Sequence, residues 1–456
     1  MTTATNPEYT DVVQTIGQML FQALWEGEPN LDKKVRELDQ IINQLLRRIG
    51  WMVVSLLLAE LASLVTKKAK ATGLTIHRCK RIKYLSLFGA IEIPSPYLWD
   101  KNKRLGARPV KEQLRIEHGD RSVAVQRALT DFGAEESFGQ AARRFEEHYG
   151  WAINRATVRR EVEKTALKAQ KFVEVKLFIT RLRALKSLTT KLNIEQLLVE
   201  LDGCHIRTGI LLPVEKAEVT KKRRLLKRKR EADWKEVRVG LVRPIQDKEK
   251  RTYVARASKY PEIVGQLVSA AYDQGMSKQT QIYAVADGGN GLREALQAQF
   301  PNLTFILDRP HLKQHLYESA EAIGLTGEER HKWVSDKLHK IDAGDVRHVI
   351  RILKGYHGQG KDRITNLSEY LKRFIDAVDY DYFRAKGLPI GSGEVESAHR
   401  YIPQKRLKIP GATWHPDTVN PMLALRIIRA NGWWDDFWMK QSASARKPHS
   451  CLTRRF

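Results

Sequence analysis

The stretch Gln281–Asp308, QIYAVADGGNGLREALQAQFPNLTFILD, decides the architecture. Its first seven residues are an apolar, β-branched run that ends in Asp287 and a Gly-Gly pair. GLREALQAQF then has apolar residues at helical spacing, and LTFILD (Leu303–Asp308) is a second short apolar run ending in a carboxylate. Strand, helix and strand in this order belong to an α/β fold. Upstream, QLLVELD (Gln196–Asp202) is a third apolar run closed by an aspartate. KEVRVGLVRPI (Lys235–Ile245) and RTYVARAS (Arg251–Ser258) read as two strands of a hairpin, followed by the helical PEIVGQLVSAAYDQG. With the first three strands antiparallel and the last two parallel to the first, the ends of the first and fourth strands lie side by side. That brings Asp202 to Asp287.

Downstream, residues 311–386 are almost wholly helical and charged, and a further helix begins after PIGSGEVES (Pro389–Ser397). Ser392 stands at its N-cap, and Glu394 in the first turn complements the helix dipole. Glu396, two residues on and about 200° around the helix, faces elsewhere, so only one of the two can join the aspartates. A helix crossing the sheet edge delivers Glu396 to Asp202 and Asp287. Three hard oxygen donors without clustered cysteine or histidine suit Mg²⁺ rather than zinc. Strand-end aspartates also serve as plain helix caps, so each alone is weak.

The chain has 456 residues, with 79 Lys+Arg against 53 Asp+Glu, a net charge of +26. Hydrophobic residues at 42% and ten tryptophans exclude a disordered polycation. The excess points to a polyanion, with nucleic acid first and a ribosome-like or membrane-surface partner as the alternatives. Three distant cysteines, Cys79, Cys204 and Cys451, exclude a disulfide scaffold and fit a reducing cytosol. The N-terminus lacks the pattern of a secretory signal.

Residues 1–75 read as helical, with Leu38, Ile41, Ile42, Leu45 and Leu46 at helical spacing. Within them Ile49–Val65 is apolar, but short for a span and interrupted by Glu60, so it reads as a buried helix or one packed on a partner chain. Residues 76–130 hold a small β-element turning near Gly89, then a charged connection. In 131–170, Ser137 and Gln140 form a capping box, Gly150 ends that helix, and Asn154 caps RATVRREVEKTALKA. Two short helices, the second bearing Arg155, Arg159, Arg160 and Lys164, read as a helix-turn-helix; a helical hairpin with a solvated basic face is the alternative. KKRRLLKRKR carries eight basic residues: Lys221, Lys222, Arg223, Arg224, Lys227, Arg228, Lys229 and Arg230. It reads as a loop for DNA phosphates, against a solvated loop or a localisation signal.

LDG (Leu201–Gly203), VADGGNGL (Val285–Leu292), FILDRPHLKQHL (Phe305–Leu316), IGSGEVES (Ile390–Ser397) and RLKIPGATWHP (Arg406–Pro416) together resemble the ISKra-type insertion-sequence transposases. The ISLre-type and Mutator-like groups are more loosely similar. The resemblance covers roughly residues 195–430, and more weakly 80–165. It implies a ribonuclease H-like catalytic core in two parts, 190–310 and 388–430, around an all-α insertion at 311–387. The helical and helix-turn-helix regions precede the core, and a basic tail at 431–456 follows it. The family's metal carboxylates fall on Asp202, Asp287 and Glu396, binding two Mg²⁺ ions with Mn²⁺ as substitute. Asp308, His311 and His315 match a D-x-x-H helix start, which implies a supporting or DNA-contacting role. His311 and His315, four apart, also allow metal ligation or plain packing. Arg400, one turn from Glu396, is placed to hold a phosphate. Relatives carry cysteine pairs near the first β-element; Cys79 stands alone beside His77, so no structural zinc is expected. Cys204 and His205 read as strand continuation.

The resemblance implies Mg²⁺-dependent cleavage and strand transfer at terminal inverted repeats of double-stranded DNA. The protein is expected in the cytoplasm at the nucleoid, with no membrane; cutting two ends in concert asks for a homodimer, and the apolar N-terminal helices around Trp51 are the candidate interface. The alternatives are a domesticated, non-catalytic DNA-binding protein, a nuclease that does not join strands, and an RNA-binding use of the same fold.

Overall fold

A computed structural model describes residues 10–25, 31–102, 104–186, 194–212 and 230–444. The basic residues Lys221–Lys229 lie outside the described residues. The chain divides into two compact units: Met1–Gln126 with Phe145–Ala152, and Arg127–Arg144 with Ile153–Phe456.

The first unit opens with helices α1 (Thr10–Trp25) and α2 (Leu31–Lys70). Six short strands follow: β1 (Thr75–Arg78), β2 (Arg81–Ser86), β3 (Gly89–Pro94), β4 (Tyr97–Asp100), β5 (Leu105–Ala107) and β6 (Asp120–Arg121). They form two three-stranded sheets, β1-β4-β5 and β3-β2-β6. The hairpin expected at Gly89 is β2–β3, closing at Ser86 opposite Gly89, whose φ of +129° only glycine adopts readily. Ala62 and Val65 of α2 pack with Ile91, Ile93 and Val110, and Val54 and Leu58 lean on the same cluster. The rest of the apolar stretch is not buried, against one of the two readings of Ile49–Val65: Met52, Val53, Leu56, Leu57 and Leu64 are exposed. So small a sheet covers one stripe of the 40-residue helix. Helix α2 is also long and apolar enough, over Val35–Lys70, to cross a membrane.

Helices α3 (Val123–Glu135), α4 (Phe138–Tyr149) and α5 (Arg155–Lys186) follow. The expected caps form: Gln140 N–H donates to Ser137 Oγ (3.2 Å), and Ala156 N–H to Asn154 Oδ1 (2.8 Å). The expectation of two short helices does not hold. Helix α5 runs for 32 residues and buries Val158, Val162, Ala166, Ala169, Val173 and Leu177, an i+3/i+4 stripe laid on two other helices of the second unit. It is a core helix whose first turns carry the basic residues, and the division between the units runs through α4.

The second unit is mixed α/β. Strands β7 (Gln196–Leu211), β8 (Arg230–Pro244) and β9 (Thr252–Arg256) are followed by α6 (Tyr260–Asp273), β10 (Gln281–Ala286), α7 (Leu292–Gln299) and β11 (Leu303–Leu307). The sheet order is β11-β10-β7-β8-β9, with β7, β8 and β9 antiparallel and β10 and β11 parallel to β7. This is the strand arrangement expected from the sequence. Strand β7 does not end at Asp202, however. Its pairing with β10 stops at Leu201, while its pairing with β8 continues to Leu211 opposite Arg230. Residues 203–211 and 230–237 therefore form a two-stranded ribbon beyond the five-stranded sheet, with Cys204 and His205 in it as strand residues.

Residues 309–385 form five helices: α8 (Arg309–Ala322), α9 (Gly327–Asp342), α10 (Val346–Lys354), α11 (Lys361–Arg373) and α12 (Tyr380–Ala385). The chain closes with α13 (Gly393–His399), α14 (Lys405–Leu407), α15 (Pro416–Ala430) and α16 (Trp434–Ser444). As far as Ser444, the last element corrects the reading of a basic tail from residue 431; residues 445–456 lie outside the described residues. Trp434, Phe437 and Trp438 are buried, and Phe437 lies edge-on to Phe172 of α5 with ring centroids 5.5 Å apart. Replacing Phe437 by Ala is expected to cost about 3–5 kcal/mol, read from denaturant unfolding. An unchanged midpoint would restore the tail.

Candidate active site

The site grows from strand register. Leu201, Ala286 and Leu307 are side-by-side partners on three adjacent parallel strands. The next residue on each strand is an aspartate, so Asp202, Asp287 and Asp308 form a row at one sheet edge. The loop after β10 is tight: Gly289 N–H donates to Asp287 Oδ1 (3.1 Å), and a Cβ on Gly288 would collide with the Tyr370 ring. Arg373 donates to Gly288 O and to Asn290 Oδ1 (2.7 Å for the latter), which fixes that loop against α11.

Helix α13 brings the fourth acid. Its first turn is held by three buried groups. Asp308 accepts from Ser392 N–H (3.0 Å) while capping α8 through His311 N–H (3.1 Å). Glu200, two residues before Asp202 and on the same face of β7, accepts from Val395 N–H (2.8 Å). Arg243, 3% exposed at its side chain, grips Glu394 with Nε at 2.9 and 3.0 Å and Nη2 at 2.6 Å. Glu394 is thereby committed to a structural ion pair. Ser392 occupies the N-cap position but makes no side-chain capping bond; Asp308 serves its backbone instead.

Glu396, by contrast, is exposed and shares its surroundings with the aspartates. Its carboxyl is pushed up by burial of its surroundings and then by the charges of Asp308 and Asp202, with Arg400 and His311 pulling down. Asp202 is raised by burial first and then by Asp287 and Asp308, against the Gly203 N–H and His311. Asp308 is raised by burial and by Asp287. Asp202, Asp308 and Glu396 are thus raised by burial first and by neighbouring carboxylates second, a field that a hard cation relieves. Among the described residues, no three His, Cys, Asp or Glu side chains stand closed at metal-ligand spacing. Carboxylate oxygens are donors of the kind that Mg²⁺ takes.

The sequence did not single out two groups here. Buried His399 places Nε2 3.4 Å from Asp202 Oδ2. Burial lowers its pKa to about 4, with Lys408 adding to the shift and Asp202 opposing it, so the ring is neutral near pH 7. Its position three residues after Glu396 on one helix was the available signal. Glu200 is the other, and its place inside an apolar strand run hid it.

His311 and His315 stack edge-to-face at 4.8 Å, and His315 rests 4.8 Å from Tyr370. Arg363 Nη2 lies 3.2 Å from His315 Nδ1. With that nitrogen facing a guanidinium and Asp308 accepting from two backbone N–H groups, the geometry gives these residues packing and capping roles. Both histidines line an open cleft of ≈ 920 Å³ with Asp287, Gly288, Asn290, Tyr370 and Arg373.

The basic residues are partly brought together. Arg159 pairs with Glu163 (Nε–Oε1 2.8 Å), and both line a cleft of ≈ 530 Å³ with Arg230, Arg406 and Trp414. Arg155, Arg160, Lys164 and Arg400 are exposed. The RLKIPGATWHP segment is pinned to the ribbon: Gly209 N–H donates to Trp414 O (2.8 Å), and Trp414 N–H to Arg207 O (3.1 Å).

The sequence profile described as "Uncharacterised protein family (UPF0236)" matches residues 32–441. Among curated proteins, none is significantly similar to the chain.

Glu200 gives a pH-dependent prediction. Burial, with help from Glu394 and Asp308, pushes its carboxyl from 4.5 up to about 8 against Val395 N–H and Arg243. The unfolded chain ionises first as pH rises, so stability at this residue is lost between roughly pH 4.5 and 8. Glu200→Gln keeps an acceptor for Val395 N–H. Its melting temperature is expected to match the parent near pH 5 and to exceed it at pH 8. A parent more stable than the variant at pH 8 would show that the ionised carboxylate is favoured.

Proposed function

This chain belongs to that uncharacterised family, UPF0236, and we propose that it is a DNA transposase of the ISKra insertion-sequence type with a ribonuclease H-like core. In this reading it binds terminal inverted repeats and catalyses strand cleavage and strand transfer. The observation that carries the reading is the in-register ending of β7 and β10 at Asp202 and Asp287, with Glu396 in the field of Asp202 while Arg243 removes Glu394 from candidacy. The sheet order, with an antiparallel hairpin on one side of β7 and two parallel strands on the other, supports the ribonuclease H-like assignment.

Asp202, Asp287 and Glu396 would hold two Mg²⁺ ions, or Mn²⁺, and such ions would supply Lewis acidity towards a phosphodiester. The protein's part is positioning. Gly203 N–H donates to Asp202 Oδ1, and the neutral ring of His399 lies beside the other oxygen. Arg373 and Tyr370 hold the loop that aims Asp287. Arg400, near Glu396, offers a guanidinium to a non-bridging phosphate oxygen. Arg155, Arg160 and Lys164 serve DNA phosphates at the start of α5, and in the same reading the Lys221–Arg230 run supplies further phosphate contacts. Neutralising the phosphates there guides the strand towards the acidic edge. The protein works in the cytoplasm, on nucleoid DNA, with no role for a membrane.

The test is strand cleavage and joining of a labelled terminal-repeat duplex with Mg²⁺. Asp202→Asn, Asp287→Asn and Glu396→Gln are each expected to reduce both products by about 10²–10³-fold or more. Glu394→Gln is expected to lower the melting temperature while the folded fraction still cuts. Parent-like cutting by both aspartate variants would overturn the site. Cutting without joining by the parent would reduce the reading to a nuclease, and loss of chemistry confined to Glu394→Gln would reassign the glutamate.

A further inference from the structure

We propose that α2 pairs with α2 of a second copy as a parallel, two-stranded coiled coil along Val35–Ala59. The inference is independent of the transposase reading. Val35, Leu38, Ile42, Leu45, Ile49, Met52, Leu56 and Ala59 alternate in steps of three and four, an unbroken heptad seam of eight apolar positions. β-Branched residues hold the first three a positions (Val35, Ile42, Ile49) and leucine the first two d positions (Leu38, Leu45). That choice at a and d favours two parallel strands.

None of the eight seam residues is buried in the single chain; Val35 is 75%, Met52 51% and Leu56 64% exposed. The side that α2 turns to its own sheet is a different one, Val54, Leu58, Ala62 and Val65. The seam is therefore free to pair without disturbing the unit's own packing.

A second copy fits this face better than a membrane does. The first half of the seam runs beside Arg36, Glu37, Asp39, Arg47 and Arg48, which hydrocarbon rejects. The second half is tied to the sheet by that packed side and by Trp51 Nε1 donating to Ala90 O (3.0 Å). Size gives a second argument. The seam is about 37 Å long and a helix about 10 Å wide, so α2 alone offers about 370 Å² of footprint per copy. Helix α1, which buries none of its residues and exposes Val13, Ile16 and Met19, adds about 24 Å of length. Together the two helices reach about 1,200 Å² over both copies, the lower bound of a specific interface.

The experiment uses the full chain without DNA, by size exclusion with light scattering. The parent is expected at twice the chain mass, Leu45→Lys/Met52→Lys at the single-chain mass, and Leu64→Lys, off the seam, at the parent's mass. Leu38→Cys, at one end of the seam, is expected to form a disulfide with itself on mild oxidation, beyond any cross-link in the parent, because only a parallel register brings it to its own copy. That readout stands if the double variant fails to fold by circular dichroism. A monomeric parent, a folded double variant that still dimerises, or absence of the Leu38→Cys cross-link overturns the proposal. So does flotation of the parent with phosphatidylcholine–phosphatidylglycerol vesicles when the folded double variant stays behind.

Discussion

Helix α13 lies where it does because three buried polar groups hold its first turn against the sheet. Glu200 takes one backbone N–H, Asp308 takes another, and Arg243 fixes Glu394 by two nitrogens. Such groups are costly to bury and costlier still to leave unpaired; breaking one buried ion pair typically costs about 3–5 kcal/mol. The arrangement therefore has few neighbouring alternatives. Its consequence is directional. With residues 392, 394 and 395 pinned, the Glu396 backbone is fixed on a different face from Glu394, where it shares the field of Asp308 and Asp202. His399, one turn later and buried, reaches Asp202 from the same helix.

The acid row itself depends on a different constraint, the in-phase endings of three parallel strands. A slip of one residue between β7 and β10 would turn Asp202 to the opposite face from Asp287. The register is held by apolar side chains on both faces, since Leu197, Leu198, Val199, Ile282, Ala284 and Val285 are all buried. Ordinary core packing thus positions groups whose mutual repulsion is unfavourable in isolation. The carboxyls of Asp202, Asp308 and Glu396 are raised by burial first and by this repulsion second.

The strands and the row of aspartates were legible because buried strands read as unbroken apolar runs, and each of these runs stops at an acid. Helix geometry separated Glu394 from Glu396, although it gave Glu394 to the helix dipole alone. Its real partner, Arg243, is 151 residues away and has no local signature. Glu200 was hidden for the same reason: its acceptor role depends on Val395, 195 residues on. The length of α5 was misread because its basic first turns drew attention from the apolar stripe that continues to Leu177. The aromatic cluster Trp434–Trp438 was outweighed by the basic residues after it, though WWDDFWM is the composition of a docked helix.

The net charge of +26 also changes meaning once partners are assigned. Arg243 is spent on Glu394, Arg426 on Glu135 and on Tyr401 O, and Arg406 on Gly133 O between Phe138 and Trp414. Burial lowers the Arg406 pKa to about 10, with Arg426 adding to it, yet Arg406 stays charged near pH 7. Those guanidiniums hold loops and cannot also neutralise phosphates. Exposed cations remain for a polyanion, among them Arg155, Arg160 and Lys164 at the start of α5 and Arg400 beside Glu396. In the proposed reading the salt dependence of DNA binding counts these contacts and not the net charge, because only cations that displace counterions enter the slope. The same distinction separates an enzyme with a defined strand path from a protein that is merely basic.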